Sequence, residues 1–295
     1  MKAADFDYAR AGSIGEVCRL LDGARGEGKI IAGGQTLVPL LVMRLARPTL
    51  VIDVNSVAAL KGITNKGDSV VIGAGTRQAD ALDDATLKRG LPLLVKGLGM
   101  VGHPQTRNRG TIGGSLANAD PAAEIGLVAR TLDATITARS SQGERVIEAT
   151  EFFQGAMTTA LSSEECLTHV RFPTWAGAGR IGTGFEEMSI RRSDFALVAV
   201  ACQVALDDAG VCRRIALGIG GAQAAPFRAS GSEQGLAGTK LSESDIDKAT
   251  GALSSAITDP IGDGHASADY RRRVAVALAA RVIAAARDEA LAARA

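Results

Sequence analysis

The sequence predicts an α+β protein. Two small α/β subdomains cover residues 1–57 and 58–176, and a smaller α+β unit, an antiparallel sheet with helices, covers 177–295. Three observations carry this. Short apolar strand-like runs alternate with segments of helical period through the first half of the chain. Two glycine pairs, Gly33-Gly34 and Gly113-Gly114, punctuate that region. Beyond a composition break at Pro173-Thr174-Trp175-Ala176-Gly177-Ala178-Gly179, two long apolar runs flank Asp207-Asp208-Ala209-Gly210, a hairpin signal.

In chain order, Ser13-Ile14-Gly15-Glu16 has the form of a capping box. Ile14, Val17, Leu20 and Leu21 fall on one helical face behind it, and Gly26 and Gly28 end that helix. Ile30 and Ile31 make a short buried strand. Residues 37–45 read as a helix stopped ahead of Pro48, and 50–54 as a strand. A strand over 69–74 enters Gly73-Ala74-Gly75-Thr76, which starts like a dinucleotide fingerprint. Gln78 stands where the third glycine belongs, so a Rossmann reading fails and a tight turn into a helix over 78–88 is expected. Segment 91–100 precedes Gly102-His103-Pro104-Gln105-Thr106-Arg107-Asn108-Arg109-Gly110-Thr111-Ile112-Gly113-Gly114-Ser115, read as a loop. Asp120 before Pro121 marks a helix start, a side-chain cap and then proline at the first helical position, running to about 132. Strands over 134–139, 145–147 and 167–172 complete the second subdomain. In the last unit 195–206 and 211–219 form the hairpin. A helix over 243–257 starts at Ser242 with Asp245 three residues on, and the final helix covers 269–291.

Composition excludes several functions. Net charge is +1, so there is no electrostatic footprint for nucleic acid or an anionic membrane surface. Aromatic residues make up 3 %, too few for a single-strand stacking platform. There is no long apolar run and no basic-plus-apolar leader, and the chain is expected to be soluble and cytoplasmic. Cys18, Cys166, Cys202 and Cys212 form no C-x-x-C pair, and His103, His169 and His265 are scattered. A metal or iron–sulfur site needs clustered ligands, so the cysteines are expected in the core. In a redox enzyme the metals would then sit on other subunits.

The two glycine pairs share a design. A glycine pair lets main-chain N–H groups approach a ligand that a Cβ would hold off, and successive N–H groups in a turn make an anion-binding concavity. Ala32-Gly33-Gly34-Gln35-Thr36 and Thr111-Ile112-Gly113-Gly114-Ser115 together point to one extended ligand with a pyrophosphate, held from two sides. These two motifs resemble those of the medium, flavin-carrying subunits of the molybdenum hydroxylases, a family that includes carbon monoxide, quinoline and xanthine dehydrogenases. Leu45-Ala46-Arg47-Pro48, the stretch 102–115, Arg191-Arg192-Ser193-Asp194-Phe195-Ala196 and Tyr270-Arg271-Arg272-Arg273 resemble the same family, and the likeness covers nearly the whole chain.

The resemblance implies a PCMH-type FAD-binding domain followed by a flavoprotein C-terminal domain. FAD would be held by Ala32, Gly33, Gly34, Gln35 and Thr36 and by Thr111, Ile112, Gly113, Gly114 and Ser115, with hydroxyl bonds from Thr36, Thr111 and Ser115. Thr36 and Ser115 are mild departures, standing where serine or aspartate and asparagine are common, and both stay polar. Glu124 would accept a hydrogen bond from a FAD hydroxyl; an acid in a first helical turn is also stabilised by the helix dipole. Phe195 would stand near the isoalloxazine, or pack in the core. Arg107 and Arg109 would neutralise the pyrophosphate or face a partner subunit, and His103 reads as a loop residue, since no nucleophile or carboxylate accompanies it. No catalytic side chain is expected here. A large subunit with the molybdenum cofactor and a small subunit with two [2Fe–2S] clusters would complete a heterotrimer, usually dimerised. Electrons would reach the FAD and leave to an external acceptor. The alternatives are a stand-alone PCMH-type FAD oxidoreductase and a non-enzymatic nucleotide-binding module.

Overall fold

The computed structural model describes residues 2–191 and 193–293. Its first unit comprises β1 (Asp7–Arg10), α1 (Ile14–Gly23), β2 (Gly28–Ile31), α2 (Leu37–Val42) and β3 (Leu50–Asp53). The three strands are parallel in the order β1-β3-β2, as helical crossovers require. Ser13 accepts the Glu16 N–H, while the Glu16 carboxylate takes the N–H of Gly12 at 2.8 Å, so the box closes one residue upstream of its usual place.

The second unit follows a 3-10 turn (Ala58–Leu60). It contains β4 (Ile63–Asn65), β5 (Ser69–Gly73), α3 (Gln78–Asp83), α4 (Ala85–Gly90), α5 (Pro92–Met100), α6 (Pro104–Arg109), α7 (Ile112–Asn118) and α8 (Glu124–Thr131). Then come β6 (Thr135–Ser140), β7 (Gly143–Glu148), α9 (Ala149–Phe152), the small pair β8 (Phe153–Gly155) and β9 (Thr158–Thr159), and β10 (Cys166–Pro173). Five strands form an antiparallel sheet in the order β4-β5-β10-β6-β7.

Three expectations need correction in this unit. The helix expected over 78–88 is two helices, because the Asp84 carboxylate accepts the N–H groups of Thr86 and Leu87 at 2.7 and 3.0 Å and starts α4 afresh. The helix expected from Pro121 starts a turn later, at Glu124. Asp120 instead closes the preceding turn, its carboxylate accepting from Ala122 and its carbonyl from Ala123, both at 2.9 Å. The stretch 102–115, expected as a loop, is largely α6 and the first half of α7.

The third unit comprises β11 (Arg180–Ser189), β12 (Ala196–Leu206), β13 (Cys212–Gly220), β14 (Phe227–Arg228), α10 (Ser230–Leu236), α11 (Glu243–Gly251), α12 (Leu253–Ala256) and α13 (Ala268–Ala292). Its antiparallel sheet runs β11-β12-β13-β14. Every residue of β12 is buried. Its larger side chains, Val198, Val200, Cys202, Val204 and Leu206, enter the core shared with α13. Its alanines, Ala199, Ala201 and Ala205, enter the core of the first two units, where α5 and α8 lie on the strand. Alternating side-chain size along a run whose one polar residue is the buried Gln203 thus serves two cores at once. The Ser242–Asp245 capping box is complete in both directions, but the helix behind it breaks at Ala252 into α11 and α12. All four cysteines are free and buried, as expected. Among the described residues no helix is long and apolar enough to cross a membrane.

Candidate functional site

The first glycine motif is a half-buried turn between β2 and α2. Among the described residues the backbone N–H groups of Gly33, Gly34, Gln35 and Thr36 donate to no protein acceptor. Four successive unsatisfied donors in one turn are what an anion-binding concavity requires. Gly34 sits at φ +71, which glycine adopts without strain. The Gln35 side chain donates to the Gly33 carbonyl at 3.2 Å and holds the turn closed. Thr36 stands at the N-cap of α2 with no side-chain cap bond, which leaves its hydroxyl available.

The second motif is built differently. It opens a helix, and its amides are engaged. Ile112 N–H donates to Thr76 O, Gly113 N–H to Ala74 O at 2.8 Å, Gly114 N–H to the Thr111 hydroxyl at 3.1 Å, and Ser115 N–H to Thr111 O. This corrects the expectation that both motifs offer free amides. Thr111 is a buried N-cap whose hydroxyl is taken by the Gly114 N–H, and Ile112 is a core residue. Gly113 is needed for packing, since a Cβ there would lie 2.4 Å from that of Ala74. What α7 exposes is a face of small residues, Gly114 and Ala117, beside the half-buried Ser115 and Asn118.

The two motifs meet. A Cβ on Gly33 would fall 2.5 Å from the Arg109 carbonyl oxygen and 2.9 Å from Gly110 Cα. A bridge of residues that the sequence reading missed fastens this joint. Asn55 donates to the Ala32 carbonyl at 2.9 Å, and Arg77 donates to Asn55 Oδ1 at 2.6 Å and to the Arg109 carbonyl. Burial, then the neighbouring Arg109, lowers the Arg77 pKa. The Arg109 side chain is exposed beside this joint and makes no bond among the described residues. Arg107 is committed elsewhere, donating to the carbonyls of Val101 and Gly102 at 2.7 and 2.9 Å. His103 is exposed and caps nothing.

At the far end of α7 lies a hollow of about 300 Å³. One wall is Asp120, Pro121 and Ala122 from the second unit; Phe195, Leu197, Gly221 and Arg271 of the third unit form the other. Phe195 is 75 % exposed, which excludes the core-packing reading and puts an uncovered ring at the mouth of the hollow. Asp194 fixes the turn before it, accepting the Phe195 N–H at 3.0 Å and pairing with Arg191. Arg192 of the same motif lies outside the described residues.

Glu124 opens α8 beside α5, with its Cβ 3.7 Å from where a Gly97 Cβ would stand. Burial, with Glu187 and Asp120 adding to it against Arg107, pushes its pKa up to about 8. Glu187 on β11 is pushed up to about 7 by burial, and its Oε2 is a buried atom without a hydrogen-bond partner. No sequence signal marks Glu187, because its neighbour Glu186 has the same residue type and pairs with Arg281.

Comparisons with known proteins bear on this geometry. Residues 4–175 match the family described as the FAD binding domain in molybdopterin dehydrogenase, and 183–286 match the CO dehydrogenase flavoprotein C-terminal domain. The chain is 39 % identical to the 6-hydroxypseudooxynicotine dehydrogenase complex subunit alpha of Paenarthrobacter nicotinovorans, over 96 % of this chain and 95 % of that one. It is 34 % identical to the glyceraldehyde dehydrogenase medium chain of Sulfolobus acidocaldarius, over 93 % and 95 %. Among solved structures, quinoline 2-oxidoreductase from Pseudomonas putida 86 superposes with a TM-score of 0.93 at 34 % identity, covering 99 % of this chain and 100 % of that one. Carbon monoxide dehydrogenase from Hydrogenophaga pseudoflava, in a form lacking the Mo-pyranopterin moiety, also gives 0.93, at 30 % identity, covering 98 % and 99 %. The chain belongs to the FAD-binding medium subunits of the molybdenum hydroxylase family of oxidoreductases.

Proposed function

We propose that this chain is the electron-transfer flavoprotein of a heterotrimeric molybdenum hydroxylase, assembled as a dimer of trimers. Its FAD would receive electrons from [2Fe–2S] clusters on a small subunit and deliver them to an external acceptor, while substrate is oxidised on the large molybdenum subunit. The observation that carries the reading is the row of four unengaged N–H groups from Gly33 to Thr36, which fits the anionic oxygens of a pyrophosphate. The exposed Arg109 side chain and the hydroxyls of Thr36 and Ser115 would add charge and polar contacts. The seven residues of α7, about 10 Å of helix, separate the joint at Gly110 from the hollow at Asp120. The small exposed residues Gly114 and Ala117 let an extended cofactor lie along it. Thr111, Ile112 and Gly113 act indirectly by seating α7 on the turn at Ala74.

FAD supplies the redox chemistry when bound, as a carrier able to take up and release electrons. The chain's own residues bind and orient it. Phe195 offers a ring face at the hollow. Glu124, with its pKa near 8, holds a proton at neutral pH and so offers a hydroxyl of the cofactor both a donor and an acceptor. The domain division we propose, 1–57, 58–176 and 177–295, places the pyrophosphate at the joint of the first two units and the ring between the second and third. The free, buried cysteines suit a reducing compartment, and we place the complex in the cytoplasm.

The test is a visible spectrum and metal analysis of the native protein with whatever co-purifies. Flavin bands on this chain, with iron and molybdenum on companion chains, are expected. Flavin with turnover but neither metals nor companions would replace the proposal with a stand-alone flavoenzyme. A folded chain that binds no FAD when it is offered would sink the reading of the Gly33–Thr36 turn.

A further inference from the structure

Three consecutive arginines open α13, and they have different fates. Arg273 is exposed and Arg272 pairs with Asp269 at the surface, whereas Arg271 is only 4 % exposed. A buried cation in the first turns of a helix opposes the helix dipole, so its burial there needs a reason. Its contacts supply one. Arg271 Nη1 donates to the carbonyls of Leu197 and Gly221, the latter at 3.0 Å, and Nη2 pairs with the Asp263 carboxylate at 2.5 Å. Its Nε is buried and has no partner among the described residues. Leu197, Gly221, Asp263 and Arg271 all line the hollow beside Phe195. One guanidinium therefore ties together the start of β12, the end of β13 and the loop before α13, and leaves its charge at the wall of that hollow. Asp263 is the matching counter-charge. It is partly exposed, and its other oxygen accepts the N–H groups of His265 and Ala266 at 2.8 and 2.9 Å.

We propose that Arg271 is a positioning residue whose fixed positive charge tunes the reduction potential of the flavin, with Asp263 setting how much of that charge the hollow feels. The inference rests on the reading of this hollow as the isoalloxazine site. When a flavin takes up two electrons and one proton its net charge falls by one, so a nearby cation favours the reduced form and raises the potential. The effect is strong only where water is excluded, which the burial of Arg271 provides.

The experiment is a reductive titration of the bound FAD against reference dyes in the complex as purified, for the wild type, Asp263→Asn, Arg271→Lys and Arg271→Met. Asparagine keeps the oxygen that His265 and Ala266 need and removes only the counter-charge. Asp263→Asn is expected to raise the potential, favouring reduced over oxidised flavin by about tenfold, which is about 30 mV for a two-electron couple. Arg271→Met is expected to lower it by a similar amount, and Arg271→Lys to stay near the wild type. A purely structural clamp would move Asp263→Asn and Arg271→Met in the same direction or move neither, and either result overturns the proposal. Should Arg271→Met fail to fold or to hold FAD, Asp263→Asn decides alone: a rise supports the proposal, and no change or a fall ends it. A wild-type chain that carries no FAD would instead refute the underlying reading of the site, which is a separate outcome.

Discussion

At Gly33 a hydrogen atom faces a backbone carbonyl 2.5 Å from where a Cβ would be, and the obstructing group cannot rotate away. Gly33→Ala must push the first turn off Arg109 and Gly110. Overpacking of this kind costs about 1–3 kcal/mol. If the turn holds the pyrophosphate, FAD affinity falls by about 5- to 150-fold while the fold persists. Flavin absorbance per chain measures the loss, and circular dichroism reports the fold. Unchanged FAD content in Gly33→Ala would remove the turn from the site. Glu124 makes a second residue-level prediction. Its folded pKa, about 8, lies above the ordinary glutamate value of 4.5, so the fold holds a proton that the unfolded chain releases. Stability from this group is complete below about pH 4.5 and is lost as pH rises through about 8, and Glu187, raised to about 7, acts with the same sign. Melting of the FAD-free protein should therefore drop between pH 5 and 8.5. Glu124→Gln should flatten the profile and stabilise the protein at pH 8.5 by about 1–3 kcal/mol. A wild-type profile already flat over that range would show that Glu124 is not held protonated. The turn at Gly33-Gly34 was legible as a turn, because a glycine pair directly after an apolar strand breaks both strand and helix patterns. Asn55, Arg77 and Glu187 were not, because the bonds of Asn55 and Arg77 that fasten the joint reach 22 or more residues along the chain and Glu187 is marked by burial alone.

At the scale of elements, β12 shows what pattern can and cannot tell. Its apolar run, interrupted only by Gln203, reads as a strand, and the Asp207–Gly210 turn reads as a hairpin. The division of its faces becomes visible only when side-chain size, rather than polarity, is followed along the chain. Ala201 is fully buried on the face that meets α5 and α8. Ala201→Leu must wedge those helices away, with an expected loss of about 1–3 kcal/mol and weaker retention of FAD, since the hollow spans the same joint. Leucine tolerated at wild-type melting temperature would mean that the joint is loose. Helices α1 and α11 were legible from Ser13 and Ser242, because a hydroxyl N-cap is a local device. Strand β1 was not: Asp7–Arg10 is largely exposed and lacks alternation, and only pairing with β3 makes it a strand. Helix α7 reads as a loop from sequence because Gly113 and Gly114 lower helix propensity, and the contact with Ala74 that holds them in helical form is tertiary.

For the whole molecule, the site depends on how the third unit is held against the other two. Lys96 of α5 bonds to Glu289 of α13 at 2.6 Å, and Glu289 also accepts from Thr183 of β11. More deeply buried is Arg228 on β14. It grips Glu233 with two nitrogens, at 2.6 and 2.9 Å, and reaches across to Asp133 in the turn between α8 and β6. Glu233, 9 % exposed, also takes the Leu217 N–H at 2.8 Å. Removing the arginine leaves the Glu233 carboxylate buried without a cation and Asp133 with only Arg130, 3.7 Å away, a loss of about 3–5 kcal/mol. The part that falls on the joint is the Asp133 contact, because Arg228 and Glu233 belong to one side and Asp133 to the other. Trp175 lies on that joint too, buried under the Arg214 guanidinium 4.1 Å from its ring, and as the only tryptophan of the chain it reports the joint directly. In wild-type protein, Trp175 emission and flavin release should change together on heating. In Arg228→Met both should shift to lower temperature and separate from the loss of helix seen by circular dichroism, because the units come apart before either unfolds. Coincident transitions at the wild-type temperature would show that the joint is held without Arg228, and that the packing of the β12 alanines alone keeps the hollow closed.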